Sequence, residues 1–151
     1  MSDSDSPTTV PTAKVNLIAL ITDIPAFTEV AVSYGDPGIA KLEREHCWVG
    51  DSDPAHDAYA PYGQLKIEEE YVLKIFIHVS NPGQSQQEAT ERAFDLYTAI
   101  AATLRPLMRT ATKIAPGVWS FLLSWNKFAE YITDQGYATF IDAQIEIKAR
   151  I

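Results

Sequence analysis

The chain has 151 residues, 46% of them hydrophobic, 11% aromatic and 21% charged, so it suits one domain able to bury roughly two-thirds of its unfolded surface without a metal or disulfide. Twelve Lys and Arg against twenty Asp and Glu give a net charge of -8, which opposes affinity for a phosphate backbone, because that affinity comes from cationic contacts. The single cysteine, Cys47, excludes an internal disulfide and points to synthesis inside a cell.

Residues 1–10 begin Met1, Ser2, Asp3, Ser4, Asp5, Ser6, Pro7, acidic where an export signal would be basic and then apolar. They read as a flexible arm, and residues 11–151 as a single domain. The longest apolar stretch, residues 15–21, is about a third of the ~20 residues a membrane helix needs, so no membrane segment is expected. Pro11 suits the first turn of a helix. Val15, Ile18, Ile21 and Thr22, widened by Leu17, Leu20 and Ile24, then recur at helical spacing until Pro25.

Short strands are expected over 29–34, before the turn signals Gly35, Asp36, Pro37 and Gly38, and over 45–50. Residues 51–64 carry two prolines, Tyr59 and Tyr62 and no period, and read as a long irregular loop placed to touch a partner. A long strand is expected over 67–80, with Tyr71, Leu73, Ile75, Ile77 and Val79 on one face and Lys74 and His78 on the other. Pro82 and Gly83 end it. Ser85 and Glu88 then form a Ser-x-x-Glu capping box, followed by Ala89, Ala93, Leu96, Tyr97, Ile100 and Leu104 at spacings of three and four. After a linker over 110–117, Trp119, Phe121, Leu123 and Trp125 alternate as a strand buried mainly on one side. The last strand alternates most clearly: Tyr137, Thr139, Ile141, Ala143, Ile145, Ile147, Ala149 and Ile151 face one way, and Asp142, Gln144, Glu146, Lys148 and Arg150 the other. This order leaves few parallel crossovers, so the expected class is α+β, a largely antiparallel sheet with two helices packed on one face.

No pattern carries catalytic chemistry. His46, Cys47, Asp51, Asp53, His56 and Asp57 are metal-ligand types, but a calcium loop opened at Asp51 would place His56 where glycine belongs and Tyr62 where glutamate belongs. One cysteine beside one histidine does not make a zinc site. Glu68, Glu69 and Glu70 include a possible paired carboxylate. On a strand Glu69 points away from its neighbours, and an exposed strand start is the simpler reading. His78 lacks triad partners and reads as a surface or interface histidine. Neither a Walker spacing nor Gly-x-Gly-x-x-Gly occurs, so no cofactor, no metal and no enzymatic activity are expected. Trp48, Trp119 and Trp125 read as core or interface residues.

The order of short motifs carries more. Ser33-Tyr34-Gly35 precedes Asp36-Pro37-Gly38, then come Trp48-Val49-Gly50-Asp51, the Glu-rich strand entry, Asn81-Pro82-Gly83 before a helix, and a closing strand ending in Ala149-Arg150-Ile151. In this order, spanning about 11–151, the chain resembles the tail terminator family of long, non-contractile-tailed bacteriophages. The resemblance implies a structural virion protein that closes the head-proximal end of the tail as a ring and joins it to the head. It also implies a homo-oligomer, a hexamer, bound to the major tail tube protein below and to a head-completion (connector) protein above, assembled in the host cytoplasm. DNA would pass through the lumen without specific binding. No catalytic residues come with it. Interface candidates are Trp48, Asp51, Tyr59, Tyr62, Glu68, Glu69, Glu70, Asp142 and Glu146. Two alternatives stay open: another head-tail connector or minor tail protein, and a small metal- or ligand-binding enzyme using the loop from Asp51 to Asp57.

Overall fold

A computed structural model describes residues 8–38, 41–51, 56–59, 67–134 and 136–150. Its first helix, α1, runs Val10–Thr22 with Thr9 at its N-cap, so the ordered fold reaches back past Pro11. Its buried residues are Ala13, Leu17 and Ile21, whereas Val15 is exposed. The i, i+4, i+8 face therefore turns inward, and the expected stripe through Val15 and Ile18 is rotated. Leu17 and Ile21 win because Asn16 beside them donates its Nδ2 to the carbonyl of Ile114, 2.8 Å away, and fixes the helix's rotation.

After a 3-10 turn at Pro25–Phe27, β1 is only Ala31–Ser33, shorter than expected. β2 is Glu45–Asp51, β3 is His56–Tyr59 and β4 is Ile67–Val79. The strand at β3 corrects the irregular reading of residues 51–64. Residues 52–55 and 60–64 of that stretch, Tyr62 among them, lie outside the described residues, as do residues 1–7 of the expected arm.

Helix α2, Gln86–Leu104, starts on the expected capping box: Ser85 Oγ accepts from Glu88 N at 3.1 Å and Glu88 Oε1 from Ser85 N at 3.2 Å. Its buried face is Ala89, Ala93, Leu96, Ile100, Ala101 and Leu104. The expected linker is instead a 3-10 segment, Arg105–Lys113, and it and the residues after it bury Ala111, Ile114 and Ala115 in the core. β5, Val118–Thr133, is much longer than expected, and β6 is Gly136–Arg150.

The strands form one sheet in the order β1-β2-β4-β6-β5, with β3 also on β4. Only β1 with β2 is parallel, so the α+β, largely antiparallel architecture holds. Cys47, Val49, Tyr71, Leu73, Ile75, Ile77, Ile141, Ala143, Ile145 and Ile147 form one hydrophobic core with the buried faces of α1 and α2. At the base, Gly117 sits at φ +95°, and a Cβ there would collide with the carbonyl oxygen of Arg150, whose N–H donates to Gly117 O at 2.8 Å. Only glycine permits that closure.

Ile145 is fully buried at the sheet centre and Ile132 is 74% exposed. Ile145→Ala should lower unfolding free energy by about 2–5 kcal/mol, while Ile132→Ser should change it by less than about 0.5 kcal/mol. Urea titration followed by far-UV circular dichroism checks both.

Candidate interaction surface

The face of the sheet turned away from the core carries an aromatic row. Trp48 lies 5.4 Å from Phe76 and 5.9 Å from Phe140 between ring centroids, and the last two stack at 5.5 Å. Register explains the row, since Trp48 opposes Phe76 on β2–β4. Trp48 is thereby buried, so this interface candidate packs within its own subunit.

His46 and His78 extend the row and oppose each other in register. Both are buried, which corrects the surface reading of His78. His46 Nδ1 accepts from the backbone N–H of Glu43 at 3.1 Å, and its Nε2 lies 3.0 Å from Ser33 Oγ. An accepting Nδ1 leaves the proton on Nε2, which donates to Ser33, and Ser33 Oγ in turn donates to Gly35 O at 2.9 Å. Ser33 is thus held by a donor and is not activated as a nucleophile. Cys47 faces the core, where burial pushes its thiol up to about 12, so it is no thiolate either.

Of the acidic candidates, Glu69 departs furthest from an exposed strand start. It is fully buried and accepts from Thr9 N at 2.9 Å, from Thr9 Oγ1 at 2.8 Å and from Thr8 Oγ1. Thr9 Oγ1 also bonds Tyr71 Oη at 2.8 Å, and burial, ahead of the Thr9 bond that opposes it, pushes the Tyr71 hydroxyl up to about 12. The carboxylate clasps the entry to α1 onto β4, because three donors replace the water it loses. Glu68 pairs with Arg150, Glu70 with Lys148 at 3.9 Å, and Asp142 with Lys74 at 3.2 Å. Glu146 is exposed on β6 opposite Val72 and Leu122. Asp51 and Tyr59 end β2 and β3, pairing by backbone with Leu73 and Ile67; their side chains, like Tyr62, lie outside the described residues. Register puts Trp48, Glu68, Glu70, Asp142 and Glu146 on the outer face of the sheet, spread along its strands, and Glu69 on the core face.

Near the start of β2, an open cleft of about 680 Å³ is lined by Glu29, Glu43, Arg44, Glu45, Asn81 and Arg92 among others. Arg92 grips Glu45 with two bonds, Nε at 2.9 Å and Nη2 at 3.0 Å, and Asn81 adds a third at 2.8 Å. Burial pushes the Glu45 carboxyl up, but these bonds and the Arg92 charge outweigh it and hold it below its ordinary value. The Arg92–Glu45 pair joins α2 to β2. Among the described residues, no group of three His, Cys, Asp or Glu is arranged to hold a metal ion, and no helix is long and apolar enough to cross a membrane.

The feature the sequence showed only in part is β5, whose length and exposed face it did not reveal. It is an edge strand of sixteen residues whose outer side has no strand partner among the described residues, and it exposes Trp119, Leu122, Trp125, Phe128, Tyr131 and Ile132. Two irregularities, between Val118 and Ser120 and between Trp125 and Lys127, redistribute its side chains. The first turns Trp119 away from the core to sit under Lys148 and Arg150, 5.9 and 5.6 Å from the ring centroid. After the second, Phe128 and Trp125 overhang α2 and meet Phe94 edge-on at 5.3 and 5.7 Å. Between α2 and β5 lies an apolar groove of about 190 Å³ lined by Tyr97, Ala101, Leu104, Met108 and Leu123 among others. A run of aromatics beyond Trp125 was the available signal, but two bulges erase its alternation.

Compared with known proteins, the chain matches no protein-family model and no curated protein.

Glu69→Ala strips the acceptor from two buried threonine donors and should cost about 1–3 kcal/mol. The Thr9 amide should then exchange with solvent faster than in the parent, by NMR-detected hydrogen exchange, while amides of α2 keep their rates.

Proposed function

We propose that the chain is a structural subunit that works by assembling with copies of itself. The observation that carries this reading is β5, an edge strand whose outer side has no strand partner among the described residues and which bears exposed Trp, Phe, Leu and Ile. Proteins that remain monomeric blunt such edges with charge, proline or very short strands. β5 has no proline and only Lys127 and Glu130 as charges. The sheet's other side is unlike it, made of the three-residue β1 and the strands β2 and β3. An edge-to-edge contact is therefore head-to-tail, and head-to-tail contacts close into rings when the rotation allows.

Within that class, the order of motifs along the chain favours a tail terminator. The subunit would form a hexameric ring on the last ring of tail tube protein, bind a head-completion protein above, and reside in the virion. Its -8 charge suits a lumen through which DNA slides, since cations lining the channel would hold the duplex by releasing its counterions. Glu68, Glu70 and Asp142 are already neutralised by cationic neighbours, so repulsion of phosphate falls to Glu146 and to other carboxylates.

Native mass spectrometry of the purified chain, with electron microscopy of tails, should show a sixfold ring at the head-proximal end. The double variant Trp125→Lys/Phe128→Lys should keep the monomer's circular dichroism but lower ring formation at least about tenfold. A strictly dimeric protein absent from tails would sink the proposal, as would a variant that assembles like the parent.

A further inference from the structure

Two imidazoles buried side by side are expensive to charge, and their hydrogen bonds specify which form they hold. His46 on β2 and His78 on β4 are direct cross-strand partners, 4% and 5% exposed. The parallel partner of His46 across the other edge is Ala31 of β1. Residues 34–38 and 41–44 follow β1 and return beside both rings. Glu43 donates its N–H to His46 Nδ1, its backbone also accepts a hydrogen bond from the His78 ring, and the carbonyl of Arg44 accepts from Ser80 N at 2.7 Å. His78 Nδ1 is buried with no hydrogen-bond partner among the described residues.

The hydrogen bonds of His46 fit a neutral ring. A proton added to His46 Nδ1 would set a donor against the Glu43 N–H at 3.1 Å, and if both rings took up protons their charges would repel. The charged and titratable groups around them are few: Asp36 and Glu43 beside His46, and Tyr131 of β5, whose ring centre lies 6.4 Å from His78. Burial lowers the pKa of His46 more than Glu43 and Asp36 raise it. His78 is lowered by burial too, against the Glu43 backbone bond and with help from His46.

We propose that His46 and His78 form an acid-operated latch, which on taking up protons releases β1 and the segments 34–38 and 41–44 and bares the edge of β2 at residues 46–48. The sign follows from linkage. Both folded values lie below the ordinary 6.5, so the released state binds protons more readily than the closed one. The latch is fully closed above about pH 6.5 and loosens as pH falls below it toward the folded values. β1 is the element to go, because three parallel residue pairs hold it to β2, whereas twelve antiparallel pairs hold β4 to β6. The bared edge would be a second unpaired strand able to take a new partner.

The test is hydrogen exchange by mass spectrometry at pH 7.5 and 5.5, corrected for the intrinsic rate, on the full chain. Peptides covering 31–38 and 41–46 should lose protection by about tenfold or more at pH 5.5, while α2 and β6 keep theirs. His78→Phe, which removes one titrating ring and keeps a flat apolar one, should shrink that loss severalfold. NMR titration of the parent guards against a variant that does not fold: both imidazoles should resist protonation well below pH 6.5. Either ring titrating at or above 6.5, equal protection at the two pH values, or uniform loss across α2 and β6 as well, would overturn the latch.

Discussion

The pairing of β4 with β6 is the constraint on which the rest of the structure depends. Twelve consecutive residue pairs join Glu68–Val79 to Thr139–Arg150 without a shift in register, so each side chain of one strand has a fixed companion on the other. Tyr71, Leu73, Ile75 and Ile77 meet Ile147, Ile145, Ala143 and Ile141 on the core side. A slip of one residue would turn every one of them to the opposite face. α2 packs onto this double row, α1 lies against β1 and β2, and the 3-10 segment before β5 lies against β5 and α2, all contributing to one core. β2 and β5 extend the sheet to either side.

That ladder also decides what the acidic residues do. Because β4 and β6 run antiparallel, the Glu-rich start of one lies against the Lys- and Arg-bearing end of the other, so Glu68 meets Arg150 and Glu70 meets Lys148. Both pairs are substantially exposed and each contributes little stability on its own. Glu69, between them, faces the core and is held by hydroxyl and amide donors at the head of α1. Its place in the fold is that of a buried acceptor, not of a surface charge.

The two ends of the sheet contrast. On one side the chain covers β2 with β1, fastened through the hydrogen bonds of His46 with Glu43 and Ser33. On the other, β5 is long, exposes Trp, Phe, Leu and Ile, and has no strand partner on its outer side among the described residues. The two edges of the sheet therefore differ, and two unlike edges that met would make a head-to-tail contact rather than a twofold one.

Local chemistry made α2 legible from end to end: Ser85 and Glu88 mark its start, and the spacing of Ala89, Ala93, Leu96, Ile100 and Leu104 names the buried face, because capping and helical periodicity act within a few residues. β4 and the alternating run of β6 were equally plain, and with them the α+β class. Tertiary contact decided the rest. Asn16 bonding to Ile114 sets which side of α1 is buried, since an apolar helix with Leu and Ile all round offers no single stripe to read. Bulges in β5 shift Trp119 and Trp125 relative to their neighbours, and the period alone does not say where a bulge will fall. His46, His78 and Glu69 look like surface residues in the one-dimensional pattern. They are buried because residues distant in the chain supply their hydrogen bonds or their cover, and such partners come together only when the sheet has formed.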